Sequence, residues 1–203
     1  MNRPLLNPLI PACALLLLFF GCRSITPSVS YYTMRTLQEE STTQALAPNG
    51  SHRTIGIRNV LLPHVINRTQ MVRRSGNYAV KIDNYHRWAE YPDRMVLQLL
   101  QGNLQRLLPG SQVVKAPWGV GREPEVTLSF HFLELIGSTD RKMELDVVWT
   151  LLDGQKPSLT RRTHLIESTD GDGFEDLARA HSRLLAELSR EVAETIAERN
   201  DQP

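Results

Sequence analysis

Thiols are scarce in this chain of 203 residues: its two cysteines stand at positions 13 and 22, and none follows. Beyond residue 22 there is therefore no thiol for a disulfide, a metal site or a nucleophile. Charge of one sign is missing as well, with 23 Lys and Arg against 22 Asp and Glu. Arg73-Arg74 and Arg161-Arg162 are isolated pairs that read as solvated strand faces. Nucleic-acid binding needs a basic stripe, so no nucleic-acid partner is expected. No G-x-x-x-x-G-K-[ST] loop occurs, which excludes a P-loop ATPase, and no G-x-S-x-G elbow occurs. The six histidines, at 52, 64, 86, 131, 164 and 181, stand singly. They lack the i, i+4 spacing of a zinc helix, although His131 and His164 can share one sheet face. No metal, no cofactor and no catalytic set is expected.

Long apolar runs are also absent. The longest, Leu9 to Phe20, is interrupted by Pro11 and falls short of the roughly 20 residues that span a bilayer. It follows Arg3 and ends in Phe19-Phe20-Gly21-Cys22. A basic start, an apolar core of about a dozen residues and a small residue at the cut make a secretion signal. A cysteine directly after Gly21 marks lipoprotein processing, although Phe19 and Phe20 stand where a Leu and a small residue are usual. Residues 1–21 are then expected to be a signal peptide, 22–30 a lipidated tether and 31–203 a single domain. Removing the first 21 of 203 residues takes away only Arg3 among the charges and leaves 182 residues with 22 of each sign. That is enough for one domain with a real core.

The domain's pattern is α+β. Tyr31–Met34 and Thr54–Val60 read as strands, and Gln70–Arg74 and Tyr78–Ile82 flank a Ser75-Gly76-Asn77 turn. Pro92 suits the first turn of a helix, and Val96, Leu99, Leu100, Leu104 and Leu107 recur at helical spacing. Gln112–Lys115 is a short strand. Val126, Leu128, Phe130 and Phe132 alternate with polar residues until the phase flips at Leu133, which predicts a bulge or a strand end. Met143–Leu151 and Leu159–Ser168 alternate again and complete an antiparallel meander. Asp172 and Glu175 have capping-box spacing ahead of a long stripe from Phe174 to Ile196. The same residues look like a calcium loop, but Phe174 occupies a ligand position. A mostly antiparallel mixed sheet with two main helices on one face is expected.

The segment Asn84 to Pro92 packs Tyr85, Arg87, Trp88, Glu90 and Tyr91 ahead of the first helix. Trp, Tyr and Arg are the usual anchors of protein interfaces. Equally, Trp88 can plug the core beneath the helix while Glu90 charges its first turn. Both readings stay open for Tyr85, Arg87, Trp88 and Glu90.

Arg87-Trp88-Ala89-Glu90 carries a family resemblance, together with Cys22, Tyr31-Tyr32-Thr33-Met34, Val60-Leu61-Leu62-Pro63, Arg68-Thr69-Gln70-Met71-Val72-Arg73 and Val113-Val114 to Pro117-Trp118. The chain resembles the PqiC/YmbA family, auxiliary lipoproteins of ABC-type intermembrane lipid transport, departing from it at Asn67 and Thr69. The resemblance implies a non-enzymatic lipoprotein with palmitate-type acyl chains on Cys22, tethered at the periplasmic face of the outer membrane. Its implied partners are the membrane itself, an MCE-domain periplasmic protein and inner-membrane transport subunits, with a role in membrane integrity and a homo-oligomeric state. Arg23 in place of Asp after the cysteine favours the outer membrane. The competing reading is a stand-alone periplasmic lipid-binding or hydrolytic lipoprotein, with an enclosed apolar pocket or a Ser/His/Asp cluster.

Overall fold

The computed structural model describes residues 27–37, 53–119, 121, 123–154 and 156–200; Cys22 and the expected signal peptide lie outside them. Strands β1 (Ser30–Tyr32), β2 (Thr54–Leu61), β3 (Gln70–Arg74) and β4 (Val80–Trp88) precede helix α1 (Pro92–Leu107). Then come β5 (Gln112–Lys115), β6 (Val126–Ser138), β7 (Lys142–Asp153), β8 (Lys156–Ser168) and helix α2 (Phe174–Asn200). All eight strands belong to one mixed sheet, and the fold is α+β.

Strand β6 is the spine. Along one edge it pairs antiparallel with β7 from Val126 to Gly137, and β7 pairs antiparallel with β8. This is the meander that the alternation announces. The other edge of β6 is shared. Its first half takes β2 in parallel, with β5 parallel beyond that, and its last two residues take β3 in parallel. β4 then pairs antiparallel with β3, and β1 pairs parallel with β4. The longest pairings are antiparallel, while the short flanking pairs include the parallel ones, which alternation within a single strand does not reveal. The phase flip at Leu133 is a bulge between Phe132 and Glu134, and β6 runs on to Ser138 instead of turning at Gly137.

Helices α1 and α2 pack against each other and against the same face of the sheet. Ile55, Leu128, Phe130 and Trp149 from the strands meet Leu99, Leu100, Leu104, Leu184, Leu185 and Leu188 from the helices, all under 5 % exposed. Burying each such side chain contributes about 2 kcal/mol. α1 begins as its sequence predicts, with Pro92 in its first turn. Its opening amide, Asp93 N–H, donates to the Asn67 side chain at 3.2 Å, so a residue 26 positions upstream does the capping while Glu90 faces solvent. α2 begins at Phe174, two residues after Asp172. Glu175 pairs with Arg179 at 3.4 Å, and the Asp172 carbonyl accepts from Arg73 at 2.6 Å.

Candidate functional site

The expected first strand, Tyr31–Met34, leaves the sheet after Tyr32. Residues 33–37 cross both helices instead. The Arg35 amide donates to Ser182 Oγ on α2 at 3.0 Å, and the Leu37 amide donates to Asn103 Oδ1 on α1 at 2.8 Å. Asn103 is fully buried and passes its amide to Ser189 Oγ at 3.2 Å, so one side chain joins the N-terminal segment to both helices. Gly102 makes room for the crossing: a Cβ there would stand 2.8 Å from Thr36 Cγ2. The signal in the sequence was a lone Asn within the α1 apolar stripe and a Gly inside a helix, where it weakens the helix by about 1 kcal/mol.

The aromatic segment ahead of α1 belongs to β4 as far as Trp88, so the strand expected to end at Ile82 runs six residues further. Between Ile82, which faces Val72, and Arg87, which faces Gln70, the four residues Asp83–His86 stand opposite Met71 alone. Asp83 closes this bulge. Its Oδ1 accepts from the Tyr85 and His86 amides at 2.9 Å each, and the His86 ring Nδ1 lies 2.8 Å away. Burial pushes the Asp83 carboxyl up, but these hydrogen bonds outweigh it and hold it below the usual carboxylate range. The bulge breaks the alternation after Ile82, so periodicity alone ends the strand there although β4 continues to Trp88.

The bulge separates the segment's residues. Tyr85 is 42 % exposed, and Arg87 Nε donates to the Asn84 carbonyl at 3.2 Å. Trp88 is 4 % exposed and stands edge-on to His181 of α2, ring centroids 5.0 Å apart. Its neighbours around a small void include Met34, Ile66, Val72, Pro92 and Leu135. The Trp88 amide donates to Thr69 and the Ala89 amide to Tyr32, so the Arg-Trp-Ala-Glu block stitches β1, the 63–69 loop and β4 together. His181 Nδ1 donates to the Leu177 carbonyl at 2.8 Å. Burial lowers its pKa to about 4, which keeps the ring neutral in the core.

His131 and His164 do lie on one face, the outer face of the meander, opposite Val148 and Asp146 respectively. His164 meets Glu144 at 3.0 Å, Arg74 meets Glu144 at 2.7 Å and Glu134 at 3.0 Å, and Arg162 grips Asp146 at 2.6 and 2.9 Å. This is a lattice of paired charges. Among the described residues, no group of three or more His, Cys, Asp or Glu is placed to hold a metal ion. A groove of about 1040 Å³ runs between residues 31–37, β8 and α2, lined by Arg179, Arg183, Arg190, Glu175 and Glu187 beside Tyr31. No described helix is long and apolar enough to cross a membrane.

These observations define an α+β domain, held by its own N-terminal segment across two helices and presenting paired charges on its outer sheet face. The chain belongs to the family of ABC-type transport auxiliary lipoprotein components, whose model matches residues 32–193. The family places it among lipoproteins of the cell envelope that accompany an ABC-type transporter. Two solved structures share its fold. One is an uncharacterized protein, 21 % identical, with TM-score 0.70, covering 83 % of this chain and 99 % of its own. The other is protein XCC0632 from Xanthomonas campestris, 11 % identical, with TM-score 0.66, covering 86 % of this chain and 98 % of its own. No curated protein is similar to the chain at a significant level.

Proposed function

We propose that this protein is a non-enzymatic outer-membrane lipoprotein, acylated on Cys22 at the end of a signal peptide spanning 1–21. It docks an MCE-domain periplasmic protein of an ABC-type lipid transport system, as a homo-oligomer on the periplasmic face, and supports membrane integrity. The observation that carries this reading is the fastening of the N-terminal segment. Ser30–Tyr32 pair with β4, Arg35 is held by Ser182 and Leu37 by Asn103. A load between an acyl anchor and a partner would pass directly into the core, as a tethered docking domain requires. In this scheme Trp88 is the core plug, and exposed Tyr85 and Glu90 with the neighbouring Arg87 form a contact surface for the partner. The groove beside α2 is open and lined by charged and apolar side chains in comparable measure, which suits protein contact better than the enclosed apolar pocket of a lipid carrier.

The test is co-purification of the tagged full chain from envelopes that contain an MCE-domain protein, with gel filtration of the product. Capture of that protein on an assembly larger than one chain is expected. A lone monomer that captures none would refute the reading.

A further inference from the structure

Packing leaves the β3–β4 hairpin bare. Every residue from Ser75 to Ile82 is exposed, yet the stretch carries Tyr78 at 102 % exposure and Val80 and Ile82 at 44 % and 40 %. Ser75 and Ala79 close the turn, so Tyr78 stands at its tip. The outer edge of β4 is covered by β1 only from His86 to Trp88, which leaves Val80–Ile82 uncovered among the described residues.

The direction of β1 says where the chain before it lies. β1 runs parallel to β4, with Ser30 opposite His86 and Tyr32 opposite Trp88. The chain entering Ser30 therefore arrives from the side of the hairpin tip, not from the side of the helices' far ends. Cys22 is eight residues before Ser30, and eight residues span at most about 28 Å. On the β3 side the hairpin advances four residues from Gln70 to Arg74, and with its turn it reaches about 16 Å past Ser30. A connection continuing the line of β1 would place Cys22 at most about 12 Å beyond the tip, so the acylated end and the hairpin tip face the same side of the domain.

We infer that the hairpin tip is a second membrane contact: Tyr78, backed by Val80 and Ile82, sits in the headgroup layer of the bilayer that holds the acyl chains of Cys22. The inference rests on the acylation of Cys22. Tyrosine suits that layer because its ring is apolar and its hydroxyl is wet. A protein contact in addition to acyl chains fixes the orientation of a domain that a tether alone would leave free. A second copy adding a strand to the bare edge is the competing occupant. Lys81 in the middle of that edge and the Asp83 bulge at its end are the devices that discourage strand addition.

The experiment uses the full chain, matured in an envelope and reconstituted in vesicles of three parts phosphatidylethanolamine to one part phosphatidylglycerol. With Cys13 removed in the signal and Cys22 acylated, Asn77→Cys gives one free thiol for a nitrobenzoxadiazole probe while keeping Tyr78. Glu123→Cys, just before the opposite end of β6, is the reference position. Nitroxide lipids labelled near the headgroup should quench the probe at 77 several-fold more than at 123, and Tyr78→Ser added to Asn77→Cys should reduce that difference. Intact mass of the same sample reports the acyl chains. Equal quenching at both positions on an acylated chain would overturn the hairpin contact and leave the anchor standing. An unacylated mass would overturn both together. Self-quenching between probes at 77 without lipid quenching would overturn it in favour of a second copy.

Discussion

The His86 imidazole lies flat on the Phe174 ring, centroids 4.0 Å apart and planes 13° apart. The Arg73 guanidinium stands 4.0 Å from the same ring centroid. Phe174 is the first residue of α2, so this stack pins the start of the long helix to the bulge in β4 and to β3. Aromatic pairs of this kind contribute about 1 kcal/mol beyond the area they bury. Phe174→Ala and His86→Ala should therefore show a coupling of about 1 kcal/mol in a double-mutant cycle read by urea unfolding. Additive losses would mean that the stack is incidental.

Asn103 predicts a larger loss. Asn103→Ala removes the acceptor of the Leu37 amide and the donor to Ser189 in one change. Leaving buried polar groups unsatisfied costs about 1–3 kcal/mol. The same variant should speed proteolysis within residues 33–37, because that segment loses its hold on α1. Limited proteolysis with mass mapping checks both the site and the rate.

Gly137 and Leu177 make a paired test. A Cβ at 137 would lie 2.1 Å from Leu177 Cδ1, so β6 and α2 touch through the missing side chain. Gly137→Val should destabilise by about 1–3 kcal/mol through overpacking. Adding Leu177→Ala should recover part of that loss, whereas two independent defects would simply accumulate.

His181 sets an acid-side weakness. Its folded pKa is lowered to about 4 from 6.5 by burial, so between those values the unfolded chain takes up a proton that the folded chain refuses. Stability is then unaffected above pH 6.5, falls as the pH drops towards 4, and has lost about 3 kcal/mol once below it. His181→Leu should flatten the stability curve between pH 6.5 and 4, measured as urea midpoints across the range.

Asp146 acts in the next window down. Hydrogen bonds from Arg162, against an opposing push from burial, hold its carboxyl below the usual range. Its contribution is complete above the unfolded pKa of 3.8 and disappears as the pH falls through the lower folded value. Asp146→Asn should remove that last acid-dependent loss while lowering stability at neutral pH. The pair is partly solvated on its Arg162 side, so the neutral-pH effect is the smaller one.

The amino-acid sequence alone determined the parts whose physics is local. Helical spacing of Leu99, Leu100 and Leu104 marked α1, alternation from Val126 to Phe132 and from Met143 to Leu151 marked the meander, and the flip at Leu133 marked its bulge. The order of the Arg-Trp-Ala-Glu block pointed to the family that the model match establishes. Only the tertiary structure decided the rest, because it depends on residues distant along the chain. Parallel pairing of β2 with both β5 and β6 leaves no mark within one strand. The bulge at Asp83 hid the second half of β4, because it breaks the alternation after Ile82. The cap of α1 came from Asn67, and the route of residues 33–37 was chosen by Asn103 and Ser182, which look unremarkable until two helices place them side by side.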